Sequence, residues 1–136
     1  MRTKLAVMLV GAGLLLAIVP AWAHHAFAAE FDANKPLKLR GTVTKMDWVN
    51  PHAWVHLDVK NADGSVTSWM VEGGSPNALL RRGFNKNSLL PGTEISVDAF
   101  QAKDGTNRAN GQSITLTDGK KLFLGSSGEN AAEAGK

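Results

Sequence analysis

None of the 136 residues is cysteine. Thiol redox chemistry, thiolate metal sites and cysteine nucleophiles are thereby excluded, and no disulfide staples the fold, so its stability has to come from packing. Short catalytic signatures are missing too. Ser75 sits in no G-x-S-x-G elbow, because position 77 is Asn where Gly is required, and there is neither a phosphate loop nor H-E-x-x-H. Glu72, next to Gly73-Gly74, is an acid with no partner named by the sequence, and His56 and Asp58 have no evident nucleophile nearby. A protein without catalysis is expected.

An excess of one charge is also lacking, once the N-terminus is read. Met1-Arg2-Thr3-Lys4 is a short basic start, Leu5 to Pro20 is apolar, and Ala21-Trp22-Ala23 follows as an A-x-A site. That pattern predicts a secretory signal peptide cut after Ala23. The run contains Gly11, Gly13 and Pro20 and is shorter than the ~20 residues of a spanning helix, and without cysteine no lipid anchor attaches at the cut. Removing Arg2 and Lys4 lowers the formal charge from +3 to +1, with 13 basic against 12 acidic side chains. A basic patch for nucleic acid or a membrane surface loses its footing. The remaining 113 residues suit one domain with its own core, placed in the periplasm or outside the cell.

The most informative stretch is Asp47 to Val59. Val49, Pro51, Ala53, Val55, Leu57 and Val59 occupy one parity, and Trp48, Asn50, His52, Trp54, His56 and Asp58 the other. Such period-two patterning predicts a strand with one face for a core. Its other face carries indoles and imidazoles where a solvated strand would carry Lys, Thr and Glu, which marks a working surface.

Around it the chain reads as a β domain. Residues 24–36 are expected to form a strap with Phe27 and Phe31 on one side of a helical turn, broken at Asn34-Lys35-Pro36. Leu37 to Trp48 reads as a first strand whose parity changes after Gly41 or near Lys45, as a bulge would make it. Val55 to Lys60 and Ser65 to Glu72 flank Asn61-Ala62-Asp63-Gly64, a hairpin signal. With a loop of two or four residues, Val55, Leu57, Val59, Val66 and Met70 share one face, and Trp54, His56, Asp58, Thr67, Trp69 and Val71 the other. A loop of odd length exchanges the second strand's faces. Ser75-Pro76 and Gly83 bracket a two-turn helix with Arg81 and Arg82 at its negative end, and Leu79 and Leu80 are expected to dock it. Glu94 to Gln101, Ser113 to Thr117 and Lys121 to Leu124 supply further strands, and residues 126–136 a disordered tail.

The expected fold class is all-β with one short helix: a small OB-like barrel of five or six strands over residues 37–125, with the helix between strands three and four. An SH3-like barrel or another β-roll shares that order. The outward face of strands two and three is the usual OB binding surface.

His24-His25-Ala26-Phe27-Ala28-Ala29-Glu30-Phe31-Asp32, Gly41-Thr42-Val43, Trp48-Val49-Asn50-Pro51-His52-Ala53-Trp54, Gly74-Ser75-Pro76-Asn77-Ala78-Leu79, Arg82-Gly83 and Ala102-Lys103-Asp104-Gly105 together resemble a family of small exported bacterial proteins labelled only as a domain of unknown function. The likeness covers nearly all of residues 24–125. It implies an exported β-rich domain and no activity, substrate or catalytic residue.

Two binding chemistries are legible. The first is a metal ion, copper before others, held by His24, His25, His52 and His56. Cleavage after Ala23 would give His24 an imidazole and a free α-amino group, a chelate for Cu(II) once the amine loses its proton. On a regular strand His52 and His56 are about 13 Å apart, too far for one ion, unless Pro51 holds His52 in a turn before the strand begins. A joint site forms if Phe27 and Phe31 lie on Trp54 and Trp69 and bring the N-terminus back. The second is a small molecule, saccharide or peptide stacked on Trp48, Trp54 and Trp69, with Asn50, Asp58 and Arg81 as polar partners. A structural or partner-binding domain is the plainest alternative.

Overall fold

Period-two patterning becomes a mostly β fold in which, among the described residues, six strands form one sheet. The computed structural model describes residues 27–125. The elements run β1 (Phe31–Asp47), β2 (Trp54–Lys60), β3 (Val66–Glu72), α1 (Pro76–Arg81), β4 (Glu94–Ala102), β5 (Arg108–Leu116) and β6 (Lys121–Phe123). The strand order, the helix between β3 and β4 and the short last strand follow the expected sequence of elements. The expected leader, His24, His25 and the tail beyond residue 125 lie outside the described residues.

Residues 27–30 are helical and belong to a different unit from the one that begins at Phe31. Phe31 does not share a helical turn with Phe27. It is buried in β1 opposite Ala102 of β4, so residues 31–36, expected in a strap, belong to the sheet. Asn34 and Lys35-Pro36, read as turn signals, occupy an irregularity in the β1–β4 register between Phe31 and Pro36. Pro36 is where the pairing resumes, opposite Phe100 of β4.

The sheet order is β3-β2-β1-β4-β5-β6, and β3 also pairs with β5. All pairings are antiparallel except β3–β5. β1 serves two neighbours: its first part pairs with β4 and its last part with β2, with a register shift between Val43 and Lys45. That shift is the expected parity change. Leu39 and Val43 are buried before it, and Met46 and Trp48 pack against the core after it. From β2 come Val55 and Leu57, from β4 Ile95 and Val97, and from β5 Ile114, all at most 2% exposed. Each such side chain contributes roughly 1.5–3 kcal/mol by leaving water.

β5 starts earlier than its expected bound of Ser113. Arg108 to Gln112 have little β-preference, but they lie between two strands, with Arg108, Ala109 and Asn110 opposite Met70, Val71 and Glu72 of β3. Pairing on both sides overrides propensity.

The β2–β3 register corrects the expected faces. Val55 is opposite Val71, Leu57 opposite Trp69 and Val59 opposite Thr67, so odd positions meet odd ones. The loop has five residues, 61–65. Asp63 Oδ1 accepts both Ser65 N–H (2.9 Å) and Ser65 Oγ–H (2.6 Å), while Asn61 N–H donates to Ser65 O (2.8 Å). Ser65 is thereby held in the turn instead of opening β3. One residue of loop length exchanges both faces of a strand. Val71 is buried and Trp69 packs on the core, while Val66 and Met70, expected in the core, are exposed.

α1 is capped at both ends. Ser75 accepts Ala78 N–H at 3.3 Å, and Pro76 takes the first helical position, where its missing N–H is not needed. Beyond Arg82, Gly83 adopts φ +78°. Gly83 N–H reaches Leu80 O and Phe84 N–H reaches Leu79 O, both at 3.0 Å, the paired bonds of a Schellman ending. Leu79 is buried but Leu80 is 52% exposed, because adjacent residues on a six-residue helix point about 100° apart. The second anchor is Phe84, brought under the helix by the Schellman turn and 1% exposed.

Asp98 of β4 gives the sheet a pH dependence. Burial pushes its carboxyl up, but bonds from Lys38 Nζ (3.1 Å) and Ser113 Oγ (3.1 Å) outweigh that and hold it below the ordinary carboxylate range. A depressed native value stabilises the fold above the unfolded pKa of ~3.9, and that contribution disappears as pH falls through the native value. Both groups are partly solvated, so Asp98→Asn is expected to cost under about 1 kcal/mol at neutral pH. Urea melts at descending pH check this: the wild-type advantage should begin to shrink near pH ~4 and then vanish.

Candidate functional site

The outward face of β2 carries Trp54, His56 and Asp58, as the alternation requires. The strands on either side decide what these side chains meet. In register, Asp47 of β1 is opposite Trp54 and Lys45 is opposite His56. On the other side Glu72, Met70 and Ser68 of β3 are opposite Trp54, His56 and Asp58.

His56 is the centre of the cluster. Its Nε2 is 2.8 Å from Asp47 Oδ2, and Lys45 Nζ is 2.8 Å from Asp47 Oδ1. The Lys45 hydrogen bond, then that of His56, holds the Asp47 carboxyl below its ordinary range. The carboxylate thus orients the ring through Nε2, and Nδ1 is the nitrogen left for a ligand. Thr44, the extra residue of the β1 bulge, donates from Oγ1 to His56 O at 3.3 Å. Sequence reasoning missed Asp47 and Lys45 as partners because the bulge sets their register.

His52 lies outside the strand, two residues before β2. Its Nδ1 is 3.3 Å from Glu72 Oε1. Glu72 is therefore not a lone acid. It is the last residue of β3, where Ala53 N–H donates to Gly74 O (3.0 Å) and Gly73 N–H donates to Ala53 O (2.8 Å). Those bonds bring the entry to β2 against the exit from β3, and so the imidazole against the carboxylate. A carboxylate oxygen lies beside one ring nitrogen of each described histidine, hydrogen-bonded at His56 and at ion-pair distance at His52.

The tryptophans do not share a face. Trp48 stacks on Phe84, with centroids 6.2 Å apart and planes at 9°. Trp69 packs inward, as the five-residue loop dictates. Trp54 stays on the outer face, where the Arg108 guanidinium lies 5.2 Å from its ring centroid. The expected surface of Trp54 and His56 beside Trp69 is replaced by Trp54 and His56 beside Met70. Asp58 accepts Ser68 Oγ–H at 2.7 Å, while Asn50 and Arg81 are exposed and take no part in this cluster. Arg108 is not among the expected site residues and Met70 is expected inward; the odd loop and the β3–β5 pairing put them here.

A cleft of about 460 Å³ opens on this face, lined by Thr44, His56, Ser68, Met70, Asn107 and Arg108. The motifs that resemble a domain of unknown function flank this β2–β3 region, Trp48 to Trp54 at its entry and Gly74 to Leu79 at its exit. The family model settles the relationship. The chain belongs to a family of unknown function, DUF6152. The match covers residues 12–112, from within the expected leader to β5. No curated protein and no solved structure matches the chain. In this DUF6152 protein no helix among the described residues is long and apolar enough to cross a membrane. Among the described residues, too, no three His, Asp or Glu side chains converge as a ready metal cage.

Proposed function

We propose that this protein is an exported, non-catalytic binding module, an OB-like barrel that holds a metal ion, copper first, on the outer face of β2 and β3 through histidine. Support for the barrel comes from the circuit of pairings, which runs from β1 through β2, β3, β5 and β4 back to β1. Support for the periplasm or the cell exterior is the signal-peptide pattern ending at Ala23.

The observation that carries the metal reading is the Asp47 carboxylate hydrogen-bonded to His56 Nε2, with Glu72 at ion-pair distance from His52 Nδ1. Metal-binding histidines commonly donate their other ring N–H in this way, which fixes the tautomer and makes the free nitrogen a better donor. His52 lies before β2 and His56 within it, each beside its own carboxylate. A mature N-terminus at His24 would offer an imidazole and a free α-amino group as a separate donor set.

Copper titration of the mature protein and of the variants His24→Ala and His56→Ala tests the reading. Affinity is expected to fall in at least one variant, and unchanged affinity in both ends it. Asp47→Asn keeps the shape of the side chain and removes its charge. It is expected to weaken copper binding by about 10–100-fold, the usual cost of losing a partner behind a ligand. Affinity equal to the wild type's would mean that Asp47 only ties β1 to β2.

A further inference from the structure

Resting on the metal reading above, we propose that His56 Nδ1 and the Met70 thioether are the protein's ligand pair for monovalent copper. The pair is set by strand register. His56 and Met70 are direct partners across β2 and β3. Met70 N–H donates to Asn107 O at 3.0 Å, toward β5, and His56 O accepts from Thr44, toward β1. Neither backbone group points at the other strand, which makes this a non-hydrogen-bonded pair, the kind whose side chains approach more closely. Both side chains line the one cleft.

Ligand softness selects the ion. A thioether is a weak donor to hard or borderline divalent ions and a good one to Cu(I), and imidazole serves copper in either state. Met70 is 37% exposed on the outer face and lines the cleft. Asp47 holds the ring by Nε2 and so leaves Nδ1 as the donor nitrogen. Binding involves no change of oxidation state.

The test is anaerobic Cu(I) titration of the full mature protein against a chromophoric Cu(I) chelator, with Cu(II) titrated in parallel. The variants are Met70→Leu and His56→Ala. Met70→Leu conserves volume at an exposed position and should keep the wild-type melting temperature. It is expected to weaken Cu(I) at least about tenfold and leave Cu(II) unchanged. A second readout needs no variant: Ag(I), a redox-inert stand-in, should shift the Met70 methyl resonance and spare that of Met46, which packs on the core. Copper binding lost in His56→Ala but untouched in Met70→Leu, with an unmoved Met70 methyl, overturns the thioether site and leaves the imidazole reading standing. Failure to take copper in either oxidation state overturns both.

Discussion

Replacing Phe84 by alanine is expected to cost the fold about 3–5 kcal/mol, a large share of the roughly 5–15 kcal/mol by which small domains are stable. Phe84 is 1% exposed and belongs to the main core cluster. It also joins two remote parts of the chain. Its N–H closes the Schellman turn on Leu79 O, and its ring stacks on Trp48, just after β1. Truncation leaves a cavity and removes one side of an indole stack. The backbone bond survives, since it does not depend on the side chain. Urea unfolding followed by tryptophan emission reads both consequences: a lower midpoint, and native emission moved to the red as Trp48 is wetted. A loss below about 1 kcal/mol would mean that the helix and the end of β1 close over the gap.

The second large effect is expected at a residue with no side chain. Gly41 of β1 lies opposite Ile95 of β4 and next to Thr42, which pairs with Asp58 of β2. A Cβ there would run into the Asp58 carbonyl oxygen, with the carbonyl carbon at 2.9 Å and Leu57 Cδ1 at 3.0 Å. The obstacle is mostly backbone within a paired strand, which cannot rotate away as a side chain would. Gly41→Ala is therefore expected near the top of the 1–3 kcal/mol range for overpacking, and Gly41→Val above it. Hydrogen exchange should locate the damage, with protection lost first along the β1–β2 ladder. Full stability in Gly41→Ala would show that β1 can move off β2 at little cost.

How much of this was legible in the sequence differs from element to element. The caps of α1 could be read directly, since Ser75, Pro76 and Gly83 act on backbone within a few residues of themselves. So could the inward parity of β2 and β4, and the change of parity in β1 near Lys45. The docking of α1 was read only in part. Its six residues can turn only one of two adjacent leucines inward, and Phe84 takes the second place through a turn that closes after the helix has ended.

For the candidate site the division is sharper. Local pattern marked His52, His56 and Trp54 as unusual for an outward strand face, and that reading used only the chain between Asp47 and Val59. Their partners lie elsewhere: Asp47 across a bulge, Met70 across a hairpin, Arg108 on a strand reached from β3 by parallel pairing. The face of β3 turned on whether Ser65 belongs to the loop or to the strand, which Asp63 decides with two hydrogen bonds.

The sequence by itself determined which residues alternate, where the helix starts and stops, and which strand carries the imidazoles, because these depend on neighbours along the chain. Tertiary structure alone decided that Trp69 turns inward, that Met70 stands opposite His56, and that a carboxylate lies beside each described histidine. The physical reason is that a strand's side chains repeat every two residues, so one residue more in a loop, or one in a bulge, changes every partner beyond it.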